Sequence, residues 1–185
     1  RFFPVKVLMI SGFDSPSHPV VAVAIEALRE GGHHVQLVTP AECGFSEAMS
    51  STERELYHDE AANVVSSAVA ESIAHVGSSQ ALLFCYPTVV DMMPAPIKNW
   101  LERVMLPGVA FGFNARGKVR PGLSHISRLG VVTTVTPQSG AGGAGRRTLM
   151  RALRLNCGLW CRRTFVALDG ERPRVELVSS RLGSW

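Results

Sequence analysis

The sequence predicts an α/β protein with a doubly wound, five-stranded parallel sheet in the order 2-1-3-4-5 and helices on both faces. Short apolar runs alternate with longer segments of helical period, as expected for strand–helix–strand units with right-handed crossovers. The apolar runs are continuous rather than alternating, which is typical of parallel strands buried on both faces. With 185 residues, 46% of them hydrophobic, residues 1–185 are expected to form a single domain.

The first strand and the first helix are predicted near the start of the chain. Val5–Ile10 is a short apolar run, and Val20 to Leu28 carries a helical apolar stripe that ends at Gly31-Gly32. Ser17 is a natural N-cap, with Pro19 just inside the helix. His33–Val38 is the second predicted strand.

A short helix and a longer helix are predicted next. Thr52 to Glu55 has the spacing of a capping box, which indicates a short helix within the long connection. Apolar residues from Ala61 to Val76 recur with helical period and predict the second amphipathic helix, which ends at Gly77.

The central unit is a strand, a loop and a helix. Ala81–Cys85 is an apolar run, and the loop 86–93 follows it. Pro94 and Pro96 fit the first turn of a helix, where a missing N–H costs nothing. Pro107-Gly108 ends that helix. Its apolar stripe consists of Ile97, Trp100, Leu101, Val104 and Met105.

The remaining elements are less regular. Residues 112–123 predict an extended excursion or a hairpin, Leu129–Thr134 the fourth strand and Arg163–Leu168 the fifth. Arg146 to Leu155 predicts a helix with Leu149, Leu153 and Met150 inward. Residues 169–185 carry no strong period.

Charge and cysteines exclude several function classes. The net charge of +4 and the sequence pI of about 9.2 suit a phosphorylated ligand as well as nonspecific nucleic-acid contact. Because the late arginines lack interleaved aromatic residues, we expect no nucleic-acid partner. No apolar run approaches the ~18 residues of a membrane span. Four cysteines without a C-x-x-C pair predict free thiols, no metal site and a cytoplasmic location.

The loop between the first strand and the first helix carries candidate anion ligands. Its serines place hydroxyls and backbone N–H groups at a helix N-terminus, which suits a phosphate. An ordinary helix cap explains the same pattern equally well.

One block of the sequence resembles a known family. It comprises Pro87, then Asp91-Met92-Met93-Pro94, then Ala95-x-Ile97-Lys98-x-Trp100-Leu101-x-Arg103-Val104, then Leu106-Pro107-Gly108-Val109-Ala110-Phe111. In this order the block is similar to the flavodoxin-like NAD(P)H:quinone oxidoreductases. The resemblance implies a flavodoxin-like fold, a flavin pocket with this block as one wall, and a homodimer. Three pairs resemble the family segment that packs across the partner subunit: Gly44-Phe45, Met49-Ser50 and Tyr57-His58.

The resemblance also implies where a flavin would bind. For the phosphate it implies Ser15, Ser17, His18 and, more weakly, Ser11. For the ring it implies Pro87, Thr88, Val89 and Val90 on one strand end, and Thr133, Thr134, Val135 and Thr136 on the next. A short first loop favours FMN over FAD. No catalytic side chain is implied, because the cofactor supplies the chemistry.

Two functions remain open at this point. The resemblance implies an enzyme that passes hydride from NAD(P)H through flavin to a quinone-like acceptor. Asp91 and Val135, which stand where the family has an aromatic residue and a glycine, favour the alternative of a regulatory or interaction protein with weak or lost flavin binding. Residues 139–145 predict a glycine-rich flap near the ring. Arg116, Lys118, Arg120, Arg146 and Arg147 are candidate 2′-phosphate ligands or simply solvated side chains.

Overall fold

A five-stranded parallel sheet in the order β2-β1-β3-β6-β7 forms the centre of the computed structural model, which describes residues 4–136, 143–183 and 185. This order confirms the predicted 2-1-3-4-5. The strands are β1 Lys6–Ser11, β2 His34–Val38, β3 Ala81–Pro87, β6 Arg128–Val135 and β7 Arg162–Asp169. A separate antiparallel hairpin of β4, Phe111–Phe113, and β5, Val119–Pro121, confirms the predicted excursion.

Helices cover both faces of the sheet. They are α1 Pro19–Glu30, α2 Ser51–Glu55, α3 Ser67–Ser78, α4 Ala95–Val104, α5 Gly143–Arg147 and α6 Glu176–Leu182. After α5 the chain continues as a π turn, Thr148–Ala152, and a 3₁₀ turn, Leu153–Asn156.

Two apolar cores lie on opposite faces of the sheet. On one face Trp100 of α4 packs against Phe84 of β3, with ring centroids 6.1 Å apart. On the other face α1 and α6 pack together over the sheet, with Val20 and Leu28 fully buried. This burial on both sides explains why the strands are continuously apolar.

The predicted start of the second amphipathic helix at Ala61 was wrong. The helix α3 begins at Ser67, and the Ser66 side chain accepts a hydrogen bond from Val69 N at 3.3 Å. Just before it, the buried Asn63 donates its side-chain amide to the carbonyl of Pro107 at 3.0 Å. That long-range contact holds the segment ahead of Ser66 in turns.

Two predicted caps were also displaced. At α1 the N-cap is His18, not Ser17. At α2 the capping box joins Ser50 to Glu53 rather than Thr52 to Glu55. Glu53 is fixed by a 2.6 Å ion pair with Arg103, so the helix start is set by tertiary contact as well as by local spacing.

The C-terminal part of the described chain contains a packed helix, although its hydrophobic pattern shows no strong helical period. The helix α6 packs on α1 and buries Val178 and Leu182. Trp185 is buried as well, and its carbonyl accepts a hydrogen bond from Nε2 of the buried His33 at 2.9 Å. As predicted, Leu149, Met150 and Leu153 face the core. No helix among the described residues is long and apolar enough to cross a membrane.

Candidate functional site

The candidate site lies at the carboxyl edge of the sheet, where the three central strands β1, β3 and β6 end side by side. The chain runs from β1 to β2 on one side and to β3 on the other, so the crevice between β1 and β3 is a topological switch point. Open α/β sheets bind ligands at such points.

The segment after β1 contains two exposed serines and one buried serine. The hydroxyls of Ser15 and Ser17 are at the surface, and Ser15 Oγ accepts a hydrogen bond from Ser17 N at 3.1 Å. Ser11 is 1% exposed, and its Oγ accepts from Phe13 N at 3.2 Å. Ser15 and Ser17 therefore have accessible hydroxyls, whereas Ser11 supports the turn.

His18 caps α1 with its side chain. Its Nδ1 accepts a hydrogen bond from Val20 N at 3.3 Å, and its ring stacks on Phe13 with centroids 3.9 Å apart. Burial lowers the pKa of His18, and the nearby Asp14 carboxylate only partly offsets this. A neutral imidazole with Nδ1 accepting carries its proton on Nε2. The donor available to a ligand is therefore the Nε2–H.

The backbone N–H groups in the first turn of α1 already donate hydrogen bonds within the protein. Val20 N donates to the His18 ring, while Val21 N and Ala22 N both donate to the His18 carbonyl. Within the described residues, the N–H groups of Asp14 and Ser15 have no protein acceptor. An anion bound here would use the loop rather than the helix end.

The segment after β3 forms a strained two-residue turn. Val89 and Met92 exchange backbone hydrogen bonds of 2.8 and 2.9 Å, and Val90 and Asp91 between them have φ of 47° and 63°. This is a type I′ turn, whose central positions favour Asn and Gly. The Val90 side chain is 91% exposed. The N–H groups of Val90 and Asp91 have no acceptor among the described residues.

Hydrogen bonds join this segment to β6. Thr88 N donates to the carbonyl of Thr134 at 2.8 Å, and Thr88 Oγ1 lies 2.8 Å from Thr133 Oγ1. Thr133 is fully buried, while Thr134 and Val135 are half-buried and Thr136 is exposed. The structure therefore brings Pro87, Thr88 and Thr134 together at the surface, whereas the buried Thr133 supports them through its contact with the Thr88 hydroxyl.

Asp91 contacts the start of α5. Its carbonyl accepts hydrogen bonds from Ala144 N at 3.0 Å and Gly145 N at 3.4 Å. Its carboxylate occupies the place where a Cβ on Gly143 would be. The predicted glycine-rich flap falls partly on residues 139–142, which are outside the described residues, and its remainder, Gly143–Gly145, begins a helix.

Sequence analysis missed Tyr86. It is fully buried at the end of β3, and its hydroxyl has no hydrogen-bond partner among the described residues. The hydroxyl lies against Gly145, where a Cβ would be 3.1 Å from it. Burial, and secondarily Cys85, raises its pKa, so Tyr86 is a neutral phenol. The signal that could have found it is a polar residue ending an apolar strand next to the candidate loop.

A basic cavity adjoins the site. It has a volume of about 510 Å³ and is lined by Gly143, Arg146, Arg147, Met150, Arg151 and Arg163. Arg146 stacks on Phe165, 4.3 Å from the ring centroid. The other candidate 2′-phosphate ligands, Arg116, Lys118 and Arg120, lie on or beside the β4–β5 hairpin and do not line this cavity. Among the described residues, no group of three or more His, Cys, Asp or Glu side chains is arranged to hold a metal ion.

Comparison with known proteins identifies the fold. A family model described as "Flavodoxin-like fold" matches residues 6–160. The structure is similar to an NAD(P)H:quinone oxidoreductase from Methanothermobacter marburgensis, with 20% identity, coverage of 98% of this chain and 97% of that chain, and a TM-score of 0.74.

Two azoreductase structures are similar at lower identity. One, from Bacillus anthracis str. Sterne, is 10% identical, covers 97% of this chain and 99% of that chain, and has a TM-score of 0.73. The other is an FMN-dependent NADH-azoreductase from Bacillus anthracis str. Ames Ancestor in complex with FMN. It is 13% identical, with coverages of 97% and 94% and a TM-score of 0.64. No curated protein matches the sequence significantly. At these identities the structural similarities establish a shared fold.

Proposed function

The chain belongs to the flavodoxin-like fold family, and from that membership we propose that it is a flavin-dependent oxidoreductase. In this proposal it binds FMN and transfers hydride from NAD(P)H to a quinone-like acceptor. The observation that carries the proposal is the turn 89–92, which offers at the topological switch point two backbone N–H groups that have no acceptor among the described residues. The names of the similar structures, an NAD(P)H:quinone oxidoreductase and an FMN-dependent NADH-azoreductase, support the same class.

The residues present fit a flavin. A flat ring with carbonyl oxygens and ring nitrogens needs backbone donors beside apolar surface. The turn supplies the N–H groups of Val90 and Asp91, and the exposed Val90 side chain supplies apolar surface. Strained backbone of this kind is concentrated at ligand sites because the surrounding structure has to maintain it.

The first loop would hold the phosphate. Ser15 and Ser17 can each donate an O–H, and the N–H groups of Asp14 and Ser15 are unpaired among the described residues. His18 Nε2–H adds a further donor at the helix start. One phosphate suits this short loop, which favours FMN.

Bound flavin would supply two-electron chemistry, accepting hydride from NAD(P)H and returning it to the acceptor. This chain's own residues would orient the flavin ring and hold the two walls of its pocket in place. Thr88 and Thr133 hold the two walls together through their hydroxyls. Tyr86 places a neutral O–H below the crevice, where it is the one buried phenol available to a ligand or a water among the described residues.

A homodimer and a cytoplasmic location belong to the same proposal. The segment 44–58, whose pairs resemble the partner-contacting part of the quinone oxidoreductases, is tied to α4 by Arg103. Arg103 pairs with Glu53 and donates to the carbonyl of Gly44 at 2.9 Å. A small cavity of about 320 Å³ beside it is lined by Met49, Arg54, Tyr57, His58 and Glu102.

The first test is the absorption spectrum of the protein after incubation with FMN and gel filtration. We expect retained flavin bands that bleach with NADH or NADPH and recover with a soluble benzoquinone. The double variant Ser15→Ala/Ser17→Ala should weaken FMN binding by about tenfold, since each lost hydrogen bond to a charged group costs about 1.5–3 kcal/mol before compensation by water. Ser124→Ala, an exposed serine at the other edge of the sheet, is the matched control.

A protein that shows no flavin absorption after incubation with either FMN or FAD would overturn the proposal. The second candidate, a regulatory or interaction protein, would then take its place. The position of Asp91 favours that candidate, because its carboxylate lies at the turn, against Gly143, and would repel an anionic reduced flavin bound there.

A further inference from the structure

Three of the four most exposed large apolar side chains among the described residues lie within six positions of one another. Leu155 is 76% exposed, Leu159 is 81% exposed and Trp160 is 89% exposed. We call residues 155–160 the apolar tip. It connects the 3₁₀ turn to β7, so it lies at the amino edge of the sheet, opposite the candidate flavin site.

The apolar tip is held in place by hydrogen bonds. Arg154 donates from Nε to the carbonyl of Cys161 at 3.1 Å and from an Nη to that of Leu159 at 2.8 Å. Gly158 N donates to Ile126 O at 3.1 Å, and a Cβ on Gly158 would lie 2.7 Å from Ser124 O. The loop is therefore built to present its apolar side chains outward.

The surroundings of the tip are strongly basic. Residues 103–168 contain eleven of the nineteen lysines and arginines and none of the fifteen acidic residues. Arg151 lies four residues before the tip and Arg163 three residues after it, both side chains are exposed, and no described carboxylate forms a salt bridge with either of them.

Exposed leucines and a tryptophan beside arginines match the chemistry of a bilayer surface. A tryptophan ring favours the headgroup level, where its apolar body is buried and its N–H stays wet, and leucines insert into the acyl boundary. Arginines bind lipid phosphates, and the attraction depends on anionic lipid. A nucleic acid would use the arginines but gains little from the two leucines.

We propose that the apolar tip docks the protein on an anionic lipid bilayer, with Leu155, Leu159 and Trp160 inserted and Arg151 and Arg163 against headgroup phosphates. The docked protein keeps the carboxyl edge of the sheet toward water. This orientation leaves the crevice between β1 and β3 open to soluble ligands. The proposal does not depend on flavin binding.

The protein supplies its own reporter for the test. Of the three tryptophans, Trp100 and Trp185 are buried and Trp160 is exposed. With vesicles of equimolar phosphatidylcholine and phosphatidylglycerol, we expect a blue shift of the Trp160 emission and sedimentation of the protein with the vesicles. With pure phosphatidylcholine vesicles both signals should be much weaker, and added salt should weaken binding to the anionic vesicles.

Substitutions test whether the apolar tip is responsible for binding to anionic vesicles. Leu159→Ser/Trp160→Ser should reduce sedimentation with anionic vesicles by at least about tenfold, and Arg151→Gln/Arg163→Gln should remove the preference for anionic lipid. Phe113→Ser, an exposed aromatic in the β4–β5 hairpin, should bind as the wild type does. All substituted side chains are exposed, and circular dichroism checks that the variants fold.

Three results would overturn the proposal. The first is a wild-type protein that stays in the supernatant with anionic vesicles. The second is a dimer that Trp160→Ser converts to a monomer in light scattering, because the tip would then contact a second copy. The third is displacement of the protein from vesicles by inorganic phosphate at a far lower concentration than sodium chloride requires, together with an unchanged Trp160 emission when vesicles are added. That result would indicate a site for a free anion.

Discussion

The Thr88 hydroxyl lies 2.8 Å from the Thr133 hydroxyl in the buried wall between β3 and β6. Thr133 Oγ1 is also 3.3 Å from the Thr134 carbonyl, and the arrangement that satisfies both contacts has Thr88 donating to Thr133 and Thr133 donating to that carbonyl. Two strands that each carry a candidate site segment are thus joined by a side-chain bond as well as by their backbones.

Thr133→Val should destabilise the protein by about 1–3 kcal/mol, because the buried Thr88 hydroxyl loses its partner. The double variant Thr88→Val/Thr133→Val should lose less than the sum of the two single variants. Urea unfolding measures both quantities. Strict additivity would contradict a direct bond between the two hydroxyls.

Val90→Asn should stabilise the protein by about 1 kcal/mol, because a β-branched residue at φ of 47° is strained and Asn tolerates that conformation. Thermal unfolding checks the prediction, with Val89→Asn as the control outside the left-handed positions. An unchanged or lowered stability of the Val90 variant would show that the turn is not strained.

Tyr86→Phe should raise the stability of the flavin-free protein by about 1 kcal/mol, since it removes a buried hydroxyl without a partner. If the hydroxyl serves the bound ligand, the same variant should bind FMN more weakly. Unfolding with and without FMN separates the two effects. A destabilised flavin-free variant would mean that water satisfies the hydroxyl.

His18→Asn should make the stability less sensitive to acid. Burial lowers the pKa of His18 in the folded protein, and Asp14 opposes this only in part. Stability from the neutral ring is therefore fully present above the unfolded pKa of about 6.5 and is lost as the pH falls through the folded pKa. Urea midpoints at about pH 8 and about pH 5 should converge in the variant more than in the wild type.

Glu53→Gln should destabilise the protein by about 1–3 kcal/mol at neutral pH, because it weakens the nearly buried ion pair with Arg103. Burial by itself would raise the pKa of Glu53, but hydrogen bonds from Ser50 and Arg103 outweigh it and lower that pKa. The contribution is present above the unfolded pKa and lost as the pH falls through the folded one. The difference from the wild type should therefore vanish in strong acid, as unfolding curves would report.

Local patterns were sufficient to predict the sheet and most of the helices. The strand β3 and the helix α4 depend on apolar runs and on Pro94 and Pro96, which act through their own neighbours in sequence. The start of α3 could not be predicted in this way. It depends on Asn63 bonding to Pro107, 44 positions away.

The sequence indicated which segments form the candidate site, but it did not indicate the cap, the turn type or the buried hydroxyl found there. The carboxyl ends of β1, β3 and β6 lie side by side because parallel strands end at a common edge. The cap by His18 depends on the stacking of its ring against Phe13. The type I′ turn occurs at Val90-Asp91, where the sequence has neither the Asn nor the Gly that would have predicted it. The unpaired Tyr86 hydroxyl depends on packing around the end of β3, which sequence period does not encode.

Among the strands that the structure describes, β7 pairs with β6 alone, so its other side is an open edge of the sheet. An open edge invites a second sheet to add to it. Here the edge begins with the exposed Arg162 and Arg163, and two copies in parallel alignment would bring like charges together. Electrostatic repulsion would oppose that parallel pairing, and screening by salt would weaken this protection of the edge.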